Sequence, residues 1–376
     1  MNFGESSKNI ALLIGTIVTV LASSEAGVRL FLGKYSALWN KEIYPFMEVD
    51  QELGYMPKPF QDLAKYQLPK WFRDGYRTNS DGLFDYEHAE KKGPRVLGLG
   101  DSFFQGYGVP HRESVLTLLE AASKTEVVKA GVLGFGTLQE LGLLRRLYPK
   151  YSPDVVLLGF CVWNDVQDNM RWTYQSRFRQ AGRPIVTVEG VVGGGFEFQA
   201  KRMLKRSALF CLLLDRLKYW PATRWLLFSL KLVEEIVPEE VQSYATQYSP
   251  SWKDGWNITF KALQELSLFT AERGAKLVVV IIPTVTEVHF DSWQRVSDYY
   301  FLDRARYEPD KPVEVLSQFL HRNNIVFLDL LPIFRRNGRQ TFLYDSPSPG
   351  AHWNEAGNRL AAESIRVFLS ERKLIE

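Results

Sequence analysis

Ser102 and His352 are the two side chains of this 376-residue sequence best placed by type and setting to do chemistry together. Ser102 lies in Gly100-Asp101-Ser102, with Gly106-Tyr107-Gly108-Val109 downstream, and the apolar run Val96-Leu97-Gly98-Leu99 leads into it. A strand ending in a tight glycine turn presents a hydroxyl at the carboxyl edge of a sheet, where α/β proteins place their chemistry. Such a serine is a nucleophile only with a base in reach, and His352, in Gly350-Ala351-His352-Trp353-Asn354, is the candidate. The pair suits acyl transfer. The hydroxyl attacks a carbonyl, and the imidazole takes its proton and later gives one to the leaving alcohol. The developing oxyanion needs preorganised donors. The backbone N–H groups of Ser102 and Gly134 and the side-chain amide of Asn164 offer three, each worth about 3 kcal/mol of barrier in acyl-transfer enzymes.

Each piece also has a plainer reading. Gly-Asp-Ser arises by chance, a lone histidine near a final helix is often structural, and Asn164-Asp165 can merely open a turn. Their placement at successive loops favours the joint reading. Asp101 suits a helix cap, and Asp165 suits orienting Asn164 or binding local amides. Trp163 and Trp353 flank the site, where packing is the safer reading than stacking on a sugar ring. His88, His111, His289 and His321 read as structural or surface residues. His289 and Glu287 follow the fourth strand at the same sheet edge, so they are also candidates to line a pocket.

The elements that must bring these residues together are legible from Arg95 onward. Strands are expected at Val96–Leu99, Val127–Val132, Val155–Val162, Leu277–Ile282 and Ile325–Leu328. Helices are expected at Ser114–Ala122, from Thr137 through Leu147 with a stop before Pro149, at Ile258–Glu272, Val313–His321 and Asn354–Glu371. Apolar strands with helical crossovers imply a parallel sheet covered on both faces. Its carboxyl edge would gather Ser102, Gly134, Asn164 and His352. Residues 33–93, with Pro57, Pro59, Pro69 and the turn Thr78-Asn79-Ser80-Asp81-Gly82, read as an extension wrapped on this domain. Residues 170–255 break the rhythm and read as an inserted lid. Pro184–Gly190 looks like one arm of a hairpin. Residues 201–232 are apolar and basic, which suits a solvated helix face or, less simply, contact with lipid headgroups.

Composition narrows the function classes. A net charge of +3 argues against nucleic acid as a partner. Aromatic residues make up 14% of the chain, which a large core accounts for as well as sugar binding does. The two cysteines, Cys161 and Cys211, neither require nor exclude a disulfide, and no Cys/His cluster has zinc spacing. No metal and no organic cofactor is expected. Asn9–Ser24 carries no charge, with Lys8 before it and Glu25 and Arg29 after it. This segment, taken as residues 1–32, fits a retained signal anchor or transmembrane segment, a cleaved signal or a buried soluble helix. The anchor is preferred. It places the chain at a cell membrane, single-pass, with the catalytic domain outside the cytoplasm.

These blocks resemble the SGNH/GDSL hydrolase superfamily. Gly100-Asp101-Ser102 with Gly106 is similar to its first block. Ala130 to Thr137 is similar to the second, with Gly134 at the oxyanion glycine. Trp163-Asn164-Asp165 is similar to the third, with Asn164 as the oxyanion asparagine. His352 to Gly357 is similar to the last, with His352 as the base. The likeness covers residues 94–376 apart from the insertion. It implies a three-layer α/β sandwich with a five-stranded parallel sheet of flavodoxin-like order, preceded by an apolar helix. Asn79-Ser80-Asp81-Gly82-Leu83 and the apolar N-terminus resemble a membrane-tethered bacterial branch linked to modification of cell-surface carbohydrate or lipid. The implied activity is an esterase forming an acyl-Ser102 intermediate on O-acyl groups such as O-acetyl. An O-acyltransferase using the same site and a non-catalytic glycan-binding protein are the alternatives. The chain departs from the pattern before His352. The usual aspartate two or three residues upstream is replaced by Pro349 and Gly350, and the nearest acid is Asp345. Three readings stay open: Asp345 reaches the imidazole, a carbonyl or other group replaces it in a Ser–His dyad, or the site is weakened. Val162 replaces the usual glycine of the third block. Lys129 stands at the start of the second block, where asparagine is common.

Overall fold

The computed structural model describes residues 3–31, 45–66, 68–180, 185–187, 190–192, 207–217, 223, 226–227, 229, 239–300, 302–348 and 350–375. The chain divides into two compact units, one of residues 44–181 and 237–376 and one of residues 1–43 and 182–236.

The larger unit is built on five parallel strands: β1 (Arg95–Gly100), β2 (Glu126–Gly131), β3 (Val155–Cys161), β4 (Lys276–Ile282) and β5 (Val326–Asp329). Their spatial order is β2-β1-β3-β4-β5, the doubly wound order in which the chain reverses direction between β1 and β3. The register pairs Leu97 with Val128 and Val156, and Leu157 with Val278. Every residue of β3 is buried, as a strand covered on both faces requires. Alternation decides which layer each side chain meets. Leu157, Cys161, Val278 and Val280 share one apolar cluster with Leu116 and Ile365 of the helices Val115–Ser123 and Glu355–Glu371. Phe160 points the other way and stacks on Trp256 of the helix Pro250–Ala271.

The expected strands and crossovers are all present, with shifted ends. The helix from Thr137 runs to Tyr151 and contains Pro149. A proline so close to a helix end removes one hydrogen bond and leaves only a short stretch beyond it. The helix expected from Ile258 begins eight residues earlier, because Ser249 caps it and Pro250 takes its first turn. Unforeseen helices cover Asp165–Gln180, Phe290–Tyr299 and Leu331–Gly338. Their polar residues hid the helical period.

Of the expected extension 33–93, the part from residue 44 onward belongs to the larger unit, and residues 33–44 lie outside the described residues. A hairpin pairs Met47–Asp50 with Gly54–Pro57. Phe46, Phe72, Tyr76 and Phe84 form a buried aromatic cluster with ring centroids 5.2–6.0 Å apart.

In the smaller unit a hairpin pairs Ile185–Thr187 with Gly190–Val192, so its first arm is shorter than the expected Pro184–Gly190 and Gly190 falls in the second arm. Of the basic residues in 201–232, only Arg216, in the helix Ala208–Leu217, is among the described residues. Residues Phe3–Phe31 form a helix. Among the described residues no helix is long and apolar enough to cross a membrane, so the transmembrane reading of residues 1–32 is not borne out. Near the end of this helix, Glu25 accepts the N–H groups of Ala208 and Leu209 and the Ser207 hydroxyl, capping the second helix.

Candidate active site

Ser102 is set by the exit of β1. Asp101 caps the one-turn helix Ser102–Gln105, its carboxylate accepting the Phe103 N–H at 2.9 Å. Asp101 therefore has the capping role expected of it. That short helix lies against β2 so closely that a Cβ on Gly131 would sit 2.3 Å from the Gln105 nitrogen, so only glycine fits there. The extension supports the turn from outside. Tyr76 is buried, and its hydroxyl donates to the Gly106 carbonyl at 2.5 Å.

The loop after β2 supplies the second element. Gly134 has φ +74°, a left-handed conformation that glycine adopts without strain. Gln105 locks this loop to the nucleophile helix by accepting the Leu133 N–H at 2.7 Å, and the Tyr55 hydroxyl donates to the Leu133 carbonyl at 2.8 Å. Among the described residues the N–H groups of Ser102 and Gly134 have no acceptor. Two donors on loops fixed in this way suit an oxyanion hole, which needs no reorganisation as charge develops.

The loop after β3 differs from expectation. The Asn164 amide nitrogen donates to Asp101 at 3.2 Å and to Asp168 at 2.8 Å. Both of its hydrogens are committed to carboxylates, so the third oxyanion donor is not presented as the structure stands. Asp168 was not foreseen. It lies one helical turn after Asn164, a spacing that puts the two side chains on one face. Burial pushes its pKa up to about 7 and that of Asp101 up to about 6, with the Asn164 hydrogen bonds pulling the other way. Glu140 and Asp165 are buried close by and raised well above the usual range, by burial first and then by neighbouring carboxylates. Asp165 accepts the Cys161 N–H at 3.2 Å, which ties it to backbone as expected.

His352 arrives on the loop before the final helix, which Asn354 caps. Its Nε2 lies 2.8 Å from Ser102 Oγ, hydrogen-bond distance for a nucleophile and its base. Accepting the hydroxyl proton at Nε2 requires the ring proton on Nδ1. Asp345 does not contact the imidazole. It accepts the His352 main-chain N–H at 3.2 Å, and its own N–H donates to the His352 carbonyl at 2.9 Å. Among the described residues no carboxylate lies within 4.0 Å of the ring nitrogens. The ring packs instead against two tilted aromatic rings, Phe103 at 4.9 Å and Tyr107 at 4.5 Å between centroids. Neither residue was singled out beforehand, although both stand in the Ser102 turn sequence. Trp353 is 1% exposed and packs on Phe103 and Phe334, and Trp163 packs against Tyr244, so packing is their observed role.

Burial with no carboxylate partner pushes the His352 pKa down to about 4. The neutral base form therefore persists well into the acid range. The acid limb of kcat/KM, which reports free-enzyme ionisations, is expected near pH 4 for this group. A limb near 6.5, the ordinary imidazole value, in the Asp101→Asn/Asp168→Asn double variant would contradict the assignment, because that variant removes both nearby carboxylates, which burial raises to about 6 and about 7.

No family model and no curated protein matches this chain. Solved structures do. A lipase/acylhydrolase from Enterococcus faecalis is similar over 74% of this chain and 97% of its own, at 14% identity and a TM-score of 0.38. A catalytic mutant of an acetylxylan esterase from Geobacillus stearothermophilus is similar over 74% and 94%, at 14% identity and 0.35. A psychrotrophic esterase from Pseudoalteromonas is similar over 75% and 99%, at 13% identity and 0.35. These TM-scores lie below 0.5, so fold and site rest on the geometry of this chain.

Proposed function

We propose that this protein is a serine esterase of the SGNH/GDSL type, hydrolysing a carboxylic ester through an acyl-Ser102 intermediate. The observation that carries the reading is the 2.8 Å contact between Ser102 Oγ and His352 Nε2; the N–H groups of Ser102 and Gly134, which have no acceptor among the described residues, support it. Ser102 Oγ adds to the ester carbonyl as its proton passes to His352 Nε2. The N–H groups of Ser102 and Gly134 take the oxyanion. The imidazolium then protonates the leaving alcohol, and water activated by the same imidazole releases the acid. Asp345 acts on the main chain of His352, which makes the site a Ser–His dyad steadied by Phe103 and Tyr107. O-acyl groups, O-acetyl first, on cell-surface carbohydrate or lipid are the proposed substrates. The cell-surface setting rests on the uncharged segment Asn9–Ser24 alone.

A fluorophosphonate probe tests the reading. One covalent adduct is expected on the intact protein, mapped by mass spectrometry to Ser102 and absent from Ser102→Ala. A folded protein that takes no adduct while the thermal unfolding curve is normal would remove the esterase and favour the non-catalytic glycan binder.

A further inference from the structure

A cavity of about 570 Å³ opens at the carboxyl end of β4, outside the dyad. That volume lies in the range of small-molecule sites. It is walled by the turn Val285–Val288, the helix Phe290–Tyr299 and the helix Leu331–Gly338, and Pro347 of the loop leading to His352 also borders it. Three features of the lining bear on what it could hold. Thr286 is 1% exposed, and among the described residues its hydroxyl, Nε2 of His289 and Oε1 of Glu287 have no hydrogen-bond partner. Such groups normally find one, because leaving them unmade is costly. Phe290 and Phe342 line the opening at 70% and 43% exposure, the Phe342 ring packing at 4.9 Å on the His289 imidazole. Arg295 and Arg339 border the opening with no acidic partner among the described residues, whereas Arg335 is committed to Asp310 through a bidentate pair.

We infer that this cavity binds a sugar ring carrying an oxyanion, either a carboxylate or a phosphate. The chemistry of the walls matches each part of such a ligand. Aromatic rings take the apolar face of a sugar. The Thr286 hydroxyl and the His289 imidazole match ring hydroxyls. Burial lowers the His289 pKa, so the imidazole stays neutral and can donate or accept. Arg295 and Arg339 suit the oxyanion, since a planar guanidinium pairs with carboxylate or phosphate through two parallel bonds. Asp291, beside them, is the one exposed acid of the lining and disfavours a second negative charge. The assignment of this ligand as the alcohol part of an ester substrate rests on the esterase reading. The binding itself does not.

The test uses the full chain carrying Ser102→Ala, so no probe is turned over. Calorimetry follows titration with tetragalacturonate, glucose 6-phosphate and uncharged cellotetraose, with tryptophan fluorescence, to which Trp293 of the cavity wall contributes, as a second readout. Binding of at least one acidic probe is expected, with cellotetraose weaker by about tenfold or more. The double variant Arg295→Ala/Arg339→Ala should raise Kd for that probe by about tenfold, as should raising salt to about 0.5 M. Both arginines are exposed, so the variant should fold. Thr286→Val should weaken both charged and neutral probes alike by severalfold. Preference for tetragalacturonate identifies a carboxylate, and preference for glucose 6-phosphate a phosphate. Absence of binding by every probe, equal affinity for cellotetraose, or affinity unchanged by the arginine variant would each overturn the inference. Probe binding without fluorophosphonate labelling of the wild-type chain would keep this site and remove the esterase. Labelling without binding would do the reverse.

Discussion

His352→Ala is expected to lower kcat/KM for an ester substrate by about six orders of magnitude, and Ser102→Ala by a similar factor. The double variant should be no worse than either single one, because the two side chains act as one unit across a 2.8 Å hydrogen bond. Asp345→Asn separates a dyad from a triad. Where a carboxylate holds the imidazole tautomer, its amide costs about 10⁴ in kcat. Here the carboxylate accepts a main-chain N–H and leaves the ring alone, so the loss should stay below about tenfold, the scale of one neutral hydrogen bond. A loss near 10⁴ would show that Asp345 reaches Nδ1 during turnover. The ring clamp makes a companion claim. Tyr107→Phe keeps the face that packs on the imidazole at 4.5 Å and should keep kcat. Tyr107→Ala frees the ring and should lower kcat by about ten- to a hundredfold with KM little changed, as misplacement of a catalytic group does.

That contrast also marks where the sequence stopped being informative. Ser102, Gly134 and His352 were legible because each follows or precedes an apolar run of unmistakable period. A parallel sheet leaves little choice about which edge those runs share. Gly131 and Gly134 carry their reason in their identity, since close approach and positive φ demand glycine. The orientation of the imidazole was not legible. It depends on Phe103 and Tyr107, two aromatic residues that read equally well as core. The hydrogen-bond state of Asn164 was hidden for a related reason. Whether its amide meets an oxyanion or Asp168 is decided by where the helix Asp165–Gln180 begins, and the polar sequence of that helix gave no periodic signal. At the N-terminus, the uncharged segment Asn9–Ser24 with its flanking charges suggested a retained anchor. Glu25 instead ends up with ligands of its own on Ser207, Ala208 and Leu209, residues 182 to 184 positions away that no local window contains.

Lys129→Met is expected to destabilise the larger unit by about 3–5 kcal/mol, the usual cost of stripping one partner from a buried ion pair. The lysine departs from the resemblance at the head of the second block, and the structure gives its reason. It is 5% exposed, and its ammonium donates to Asp85 at 2.9 Å, to Glu120 at 2.7 Å and to the Val127 carbonyl at 3.1 Å. The Asp85 side chain is fully buried. It also accepts the Lys129 main-chain N–H at 2.9 Å and faces His88 Nε2 at 2.7 Å, while His88 Nδ1 faces Glu126 at 2.6 Å. Methionine fills the lysine's space but leaves Asp85 and Glu120 without their cation. Because Asp85 belongs to the extension and Lys129 to β2, the loss should loosen the extension from the sheet. A urea titration reads the effect as a lower midpoint. Lys129→Met/Asp85→Asn should lose less than the two single variants summed, since the second change removes the charge stranded by the first. The same network sets a pH window. Burial alone would raise the Asp85 pKa, but the His88 hydrogen bond and the Lys129 charge outweigh it and lower it. Burial alone would lower the His88 pKa, but Asp85 and Glu126 outweigh it and raise it. The Asp85 contribution is complete above about pH 4, its unfolded value, and is lost as pH falls through the depressed folded one. The His88 contribution is complete below about pH 6.5 and is lost as pH rises through the raised folded value. The wild-type chain should therefore gain most over Lys129→Met/Asp85→Asn between about pH 4 and 6.5. A difference in urea midpoint that stayed constant from acid to alkaline pH would show that these charges do not clamp the extension.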